Sequence, residues 1–240
     1  MPPSRKAFYE RAKTYYAPIP RRKVVAKRTR AAAVVVPGYT RKSGFYGRYN
    51  RGTRAEMKFF DTANSFLFDS TGEVPATGQL ALIPQGDTES TRDGRQCTIK
   101  SVQIRGYFKN VPAAGATSPA IAYLYLVLDK QANGAAAGVT DLFTSANMWD
   151  NMLNLANSDR FRILKKWVVP LNAGAGVTTA YDNTVKVLEF YKRCNIPMSF
   201  SSTTGAITEI RSNNLFLMAG AAVVDDQIAF EGRTRVRFTG

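Results

Sequence analysis

From residue 57 onward, apolar positions recur in short runs broken by Gly, Pro, Asn and Asp, the rhythm of strands and turns. "MKFFDTANSFLF" (57–68) and "GQLALIP" (78–84) are the first two candidate strands. Between Cys97 and Val111 the alternation is clear. Val102, Ile104 and Phe108 fall on one face, and Gln103, Arg105 and Lys109 on the other. Cys97 and Ile99 have the opposite parity, so the pattern predicts a bulge near Lys100–Ser101 that turns both sets inward. "AIAYLYLVLD" (120–129) is apolar on both faces and predicts a central, covered strand. A long connection follows, with helical character in places. Beyond it, "DRFRILKKWVVPLN" (159–172) sets Phe161, Ile163, Trp167 and Val169 on one face. "TVKVLEFYKRCN" (184–195), "NLFLMAGAAVV" (214–224) and "RTRVRFTG" (233–240) complete eight candidates. Without long helices or βαβ alternation, they predict an all-β sandwich, and eight strands in two sheets is the jelly-roll number. Two-sided apolar strands suit packing between subunits as well as within one.

The first 54 residues lack this rhythm, and charge explains what they are for. Of 33 Lys and Arg in the 240-residue chain, 15 lie here against one acid, Glu10, a net of +14. The other 18 basic residues face 17 acids over 55–240, a net of +1. The chain therefore divides into a basic arm (1–54) and a near-neutral jelly-roll domain (55–240). The arm's cations are Arg5, Lys6, Arg11, Lys13, Arg21, Arg22, Lys23, Lys27, Arg28, Arg30, Arg41, Lys42, Arg48, Arg51 and Arg54. Like charges this dense repel, and phosphate is their natural counter-charge, so these fifteen residues are the candidate nucleic-acid contacts. "RKAFYERAKTYY" has the composition of a short helix. Phe45, Tyr46 and Tyr49 interleave with the cations, either to stack on unpaired bases or to dock the arm on the shell. Nothing in the arm predicts base-specific readout.

Absences remove whole classes of chemistry. With no histidine, Ser-His-Asp and Cys-His pairs, His metal sites and His pH switches are excluded. Cys97 and Cys194 are too few for a four-ligand zinc site and read as small apolar core residues, a bridge between them being undecided. "GAAAGVTD" lacks the strand–turn–helix context and lysine of a phosphate loop. No acid pair sits in a catalytic motif. The expectation is a protein that is not an enzyme and needs no cofactor or metal, although Asp225 and Asp226 together raise the minor reading of a hard-cation site. Apolar runs reach about ten residues where a bilayer span needs about 20, so no membrane insertion is expected. The start has no apolar signal-peptide core.

The order of features resembles capsid proteins of circular, Rep-encoding single-stranded DNA viruses, the circovirus-like and geminivirus-like group. The arm leads into "RGTRAEMKFFDT" (51–62), then "IPQGDTESTRDGRQCTIKSVQIRGYF" (83–108) and "YLYLVLDKQANG" (123–134). "DRFRILKKWVVPL" (159–171) follows, with Arg160, Phe161, Ile163 and Leu164 matching "RF.IL", and "SNNLFLMAGAA" (212–222) and "RTRVRF" (233–238) close the series. The resemblance covers essentially the whole chain. It implies a single jelly roll, a homo-oligomeric icosahedral shell of about 60 copies, and an arm turned onto packaged single-stranded DNA. It also implies nuclear localisation signals, fitted here by Arg21–Lys23 and Lys27–Arg30, with a nuclear import receptor as partner and the virion and host nucleus as locations. Two alternatives stay open: a non-assembling nucleic-acid-binding shuttle or movement protein, and the coat of a satellite-type RNA virus. Arg233, Arg235 and Arg237 share one face of the last strand, opposite Val236 and Phe238. They form either a genome-facing row or a solvated face ion-paired with Asp225, Asp226 and Glu231.

Overall fold

A computed structural model describes residues 56–111, 120–148, 151–171, 185–222 and 227–240. Eight strands run in chain order: β1 (Lys58–Phe68), β2 (Gln96–Val111), β3 (Ala120–Asp129), β4 (Phe161–Leu171), β5 (Val185–Phe200), β6 (Ile210–Ser212), β7 (Asn214–Ala222) and β8 (Gln227–Thr239). They form two antiparallel sheets, ordered β1-β8-β2-β5-β6 and β4-β3-β7. A fourth lane lies beside β7. Glu73 and Ala219 exchange both backbone hydrogen bonds at 2.8 and 3.0 Å, the Ala221 N–H donates to Asp69 at 2.7 Å, and the Leu80 N–H donates to Leu215 at 2.9 Å. With that lane included, the sheets read β1-β8-β2-β5 and (69–80)-β7-β3-β4, joined by crossings between them. That is a jelly roll.

The fourth lane is where the expected strand 78–84 fails. Residues 76–78 form a single 3-10 turn, and Leu80, Ala81 and Ile83 are all buried without alternating. Pro75 and Pro84 bracket the segment and donate nothing to a ladder. Its apolar side chains fill the core from an irregular backbone instead. In exchange the short β6 appears where no strand was expected. Among the described residues helix is confined to single turns, such as α1 (Val139–Leu142); the short helix expected in the arm lies outside them. Among the described residues no helix is long and apolar enough to cross a membrane.

The bulge falls where parity demands it: the pairing of β2 with both neighbours shifts between Ile99 and Ser101. Cys97, Ile99, Val102, Ile104 and Phe108 consequently all face the core. There Phe108, Phe230 and Phe66 stack in series, with ring centroids 5.1 and 5.4 Å apart. Burying each such ring stabilises the fold by about 2 kcal/mol. A second irregularity corrects the reading of β4. Its pairing with β3 skips Leu164, so Phe161 and Ile163 face away from the main core while Leu164, Trp167 and Val169 face it.

Those outward residues meet a second apolar cluster. Tyr125, Val127, Phe216 and Met218 line the outer face of the smaller sheet, and Ala137, Val139, Leu142, Phe143 and Met148 from the β3–β4 connection cover it. The two-sided apolarity of β3 and β7 is therefore satisfied largely within one chain rather than by a neighbouring subunit.

Both cysteines are free, with Cys97 buried and Cys194 half-buried. Burial pushes the Cys97 thiol up to about 11, leaving about a thousandth as thiolate at pH 8. Alkylation at pH 8 should therefore miss Cys97 in folded protein and reach it only in denaturant. Mass spectrometry of iodoacetamide-treated protein reads this directly, and rapid labelling of native Cys97 would contradict its placement.

Candidate nucleic-acid interface

All fifteen candidate contacts of the arm, Arg5 through Arg54, lie outside the described residues, as do Asp225 and Asp226. Among the described residues no cluster of Cys, Asp or Glu could hold a metal ion. What the fold does position is the outer face of the larger sheet.

Antiparallel register assembles that face from four strands as lateral rows. One row runs Ala63–Arg233–Arg105–Glu189, the next Asp61–Arg235–Gln103–Tyr191, and the third Phe59–Arg237–Ser101–Arg193. Three rows thus carry five arginines against two carboxylates. Asp61 takes one arginine fully, accepting from Arg235 Nε at 2.7 Å and Nη2 at 2.6 Å. That fork holds the Asp61 carboxyl below its ordinary value, and the Arg235 guanidinium also rests over the Phe59 ring at 4.8 Å. The Arg105–Glu189 approach is looser, 3.8 Å between two exposed side chains, the kind of pair that contributes little. Arg193, Arg233 and Arg237 have no carboxylate partner among the described residues. Alternation along β8 is as expected, with Thr234, Val236 and Phe238 buried beneath the exposed arginines.

The ion-pairing partner is the correction. Arg235 pairs with Asp61 on β1, and Glu231 is occupied by the Tyr107 hydroxyl, which donates to it. Partners on other strands, such as Asp61 174 residues from Arg235, cannot be read from period two, so sequence reasoning missed both Asp61 and Arg193. Arg105 was placed on the polar face of its strand, but nothing told that Arg233 would stand opposite.

Two further clusters explain conspicuous loop residues. Asp129, 1% exposed at the end of β3, receives Arg160 Nε at 2.9 Å and Nη2 at 2.7 Å. This bidentate pair closes the base of the β3–β4 connection and raises the Arg160 guanidinium above its usual value. Arg92, wholly buried, makes no ion pair among the described residues. Its Nε donates to the Ile83 carbonyl at 3.0 Å, its two terminal nitrogens donate to the Gly94 and Ser202 carbonyls, and its plane lies 4.1 Å from the Phe200 ring. Three backbone dipoles and a π face stand in for a counter-ion. Gly205 lets the second loop come this close: its φ is +76°, and a Cβ there would lie 2.6 Å from the Ile83 backbone.

No curated protein matches the chain. Among solved structures it is similar to the BFDV capsid protein, solved as a 60-mer, at 10% identity and a TM-score of 0.30, over 77% of this chain and 93% of that one. The model of the geminivirus coat protein/nuclear export factor BR1 family matches residues 5–239. With the match spanning the arm and the whole jelly roll, this chain belongs to the geminivirus coat protein/nuclear export factor BR1 family.

Proposed function

We propose that this protein is a structural capsid subunit that closes into a small icosahedral shell and packages single-stranded DNA through its basic arm. The observation that carries the reading is the segregation of charge: +14 in the first 54 residues, attached to a jelly roll of net +1. An assembly that must enclose a polyanion needs this division, since cations spread over the domain would oppose subunit contact. About 60 copies would bring about 840 net positive charges to the genome. The remaining phosphates fall to mobile cations and to basic residues of the folded domain such as the Arg233–Arg237 row.

Exposed apolar side chains support assembly. Leu155 is 80% exposed, Val187 78% and Met152 74%, and contact with a neighbouring subunit would take them out of water. The family description names a coat protein and a nuclear export factor, neither of them an enzyme. That same description supports a second reading, a nucleic-acid shuttle that does not assemble. A coat subunit works in the virion and, on this proposal, enters the host nucleus to assemble, with Arg21–Lys23 and Lys27–Arg30 bound by an import receptor.

Sedimentation and negative-stain microscopy separate the readings. The full chain should form uniform closed particles. A chain that stays monomeric over a wide range of salt and concentration would be the shuttle.

A further inference from the structure

We infer that the outer face of the five-stranded sheet is a second, folded phosphate-binding surface for single-stranded nucleic acid, with Arg193, Arg233 and Arg237 taking phosphates and Tyr191 a base. The inference rests on the reading that this chain binds single strands, and adds a site outside the arm.

The register supplies the first argument. Arg233 and Arg105 stand directly opposite each other on paired strands, where like charges destabilise the ladder. Glu189 only loosely offsets Arg105, and among the described residues no carboxylate pairs directly with Arg233, the nearby Asp61 being held by Arg235. Two rows on, Arg237 and Arg193 flank Ser101 from the two sides of β2, again without an acid in the row among the described residues. A sheet face that needed only solubility would intersperse the signs. This one leaves three guanidinium groups awaiting an external anion.

Spacing supplies the second. Arg233 and Arg237 stand four residues apart on β8, about 13 Å along the strand, and Arg193 lies two strands away from Arg237, about 10 Å across the sheet. The three mark out a lane rather than a point, as a chain of phosphates requires and a single small anion does not. Tyr191 is half exposed in the middle row beside them. The Ser101 hydroxyl and the Arg193 and Arg237 guanidinium groups lower its phenol, which reports the positive field there. A shallow hollow of about 220 Å³ bounded by Asp61, Arg105, Arg233 and Arg235 adjoins the lane. An exposed aromatic ring among arginines suits bases free to unstack, hence single strands rather than duplex.

Asp61 makes the proposal testable in both directions. By holding Arg235 it withholds one cation from the ligand, so Asp61→Asn should increase binding while Arg193→Gln, Arg233→Gln and Arg237→Gln decrease it. The experiment measures binding of a fluorescent 12-mer of thymidylate to the full chain, kept as free subunits, over a range of salt. The triple variant should flatten the slope of log K against log salt by about 2, and Asp61→Asn should steepen it by about 0.7. Lys130→Gln with Arg162→Gln, exposed cations elsewhere on the domain, should leave it unchanged. If the triple variant binds as the unsubstituted chain does while arm substitutions flatten the slope, this surface is not a site and the arm reading stands. If arm substitutions do nothing and the triple variant still flattens the slope, the arm reading fails and this one survives. Should the triple variant misfold by circular dichroism, photo-crosslinking of a bromodeoxyuridine 12-mer to the unsubstituted chain decides. Adducts on Tyr191 are expected, and adducts confined to the arm would overturn the inference.

Discussion

Replacing Arg92 with Ala should lower stability by about 4 kcal/mol, the largest effect of any single substitution in the loops. The magnitude follows from what the guanidinium leaves behind. The carbonyls of Ile83, Gly94 and Ser202 lose their donors together; the buried Ile83 acceptor costs about 1–3 kcal/mol, and the less buried Gly94 and Ser202 acceptors, which water can reach, cost less. The void under the Phe200 ring adds a cavity cost. Burial lowers the Arg92 guanidinium from its ordinary value, yet arginine stays charged at neutral pH, so the native state already carries the desolvation cost. Only the planar fork, aimed at three carbonyls in three directions, offsets it. Arg92→Lys should therefore rescue little, because an ammonium cannot reach all three nor stack on the ring. Urea denaturation followed by far-ultraviolet circular dichroism measures both. A loss below 1 kcal/mol in Arg92→Ala would mean that the two loops are held by something else.

Neutralising the arm should have the largest effect on nucleic acid. With Arg21, Arg22, Lys23, Lys27, Arg28 and Arg30 replaced by Gln, up to six phosphate contacts vanish. The salt slope for single strands should flatten by about 4. Nucleic acid recovered with assembled particles should fall, read as the ratio of absorbance at two ultraviolet wavelengths, while the shell still closes. Sequence should matter little at matched length, because flexible cations read backbone charge rather than base edges. Unsubstituted protein with a slope near zero, or with strong preference for one sequence, would replace charge-driven packaging by specific recognition.

Local periodicity made much of the fold legible. The bulge at Lys100–Ser101 follows from a parity switch inside one strand, and β3 is covered as its two apolar faces require. Alternation along β8 likewise put the arginines outside and Phe238 inside. What period two cannot carry is a backbone that stops alternating. Leu80 and Ala81 are adjacent and both buried on a backbone that pairs with no strand ladder there, and the prolines around them were the available warning. The skip at Leu164 left no such mark: two apolar residues in a row, Ile163 and Leu164, fit either face.

The candidate surface was legible in composition and not in partnership. Arg233, Arg235 and Arg237 could be placed on one face, but their fate depends on β1 and β5, which the sequence does not align. The short motifs fared similarly. Asp129 and Arg160 were each conspicuous, one ending an apolar strand and one opening "RF.IL", yet only the folded chain shows that they hold each other. Arg92 read as one polar residue in a polar loop, since nothing local tells that Phe200 will roof it.

Strand β8 lies between β1 and β2 in the larger sheet, Lys58 pairing with Phe238 at one end. Until residue 239 has been synthesised, that sheet exists as two separate edges with an apolar slot between them. Such long-range pairing folds slowly, in milliseconds to seconds, and the slot stays open throughout translation, in which the ribosome adds about 5–20 residues each second. A chain halted before residue 227 would lack the strand that joins the two edges. On the proposed function this amounts to a form of quality control: a truncated product would keep its basic arm but have no complete wall to bring to a growing shell.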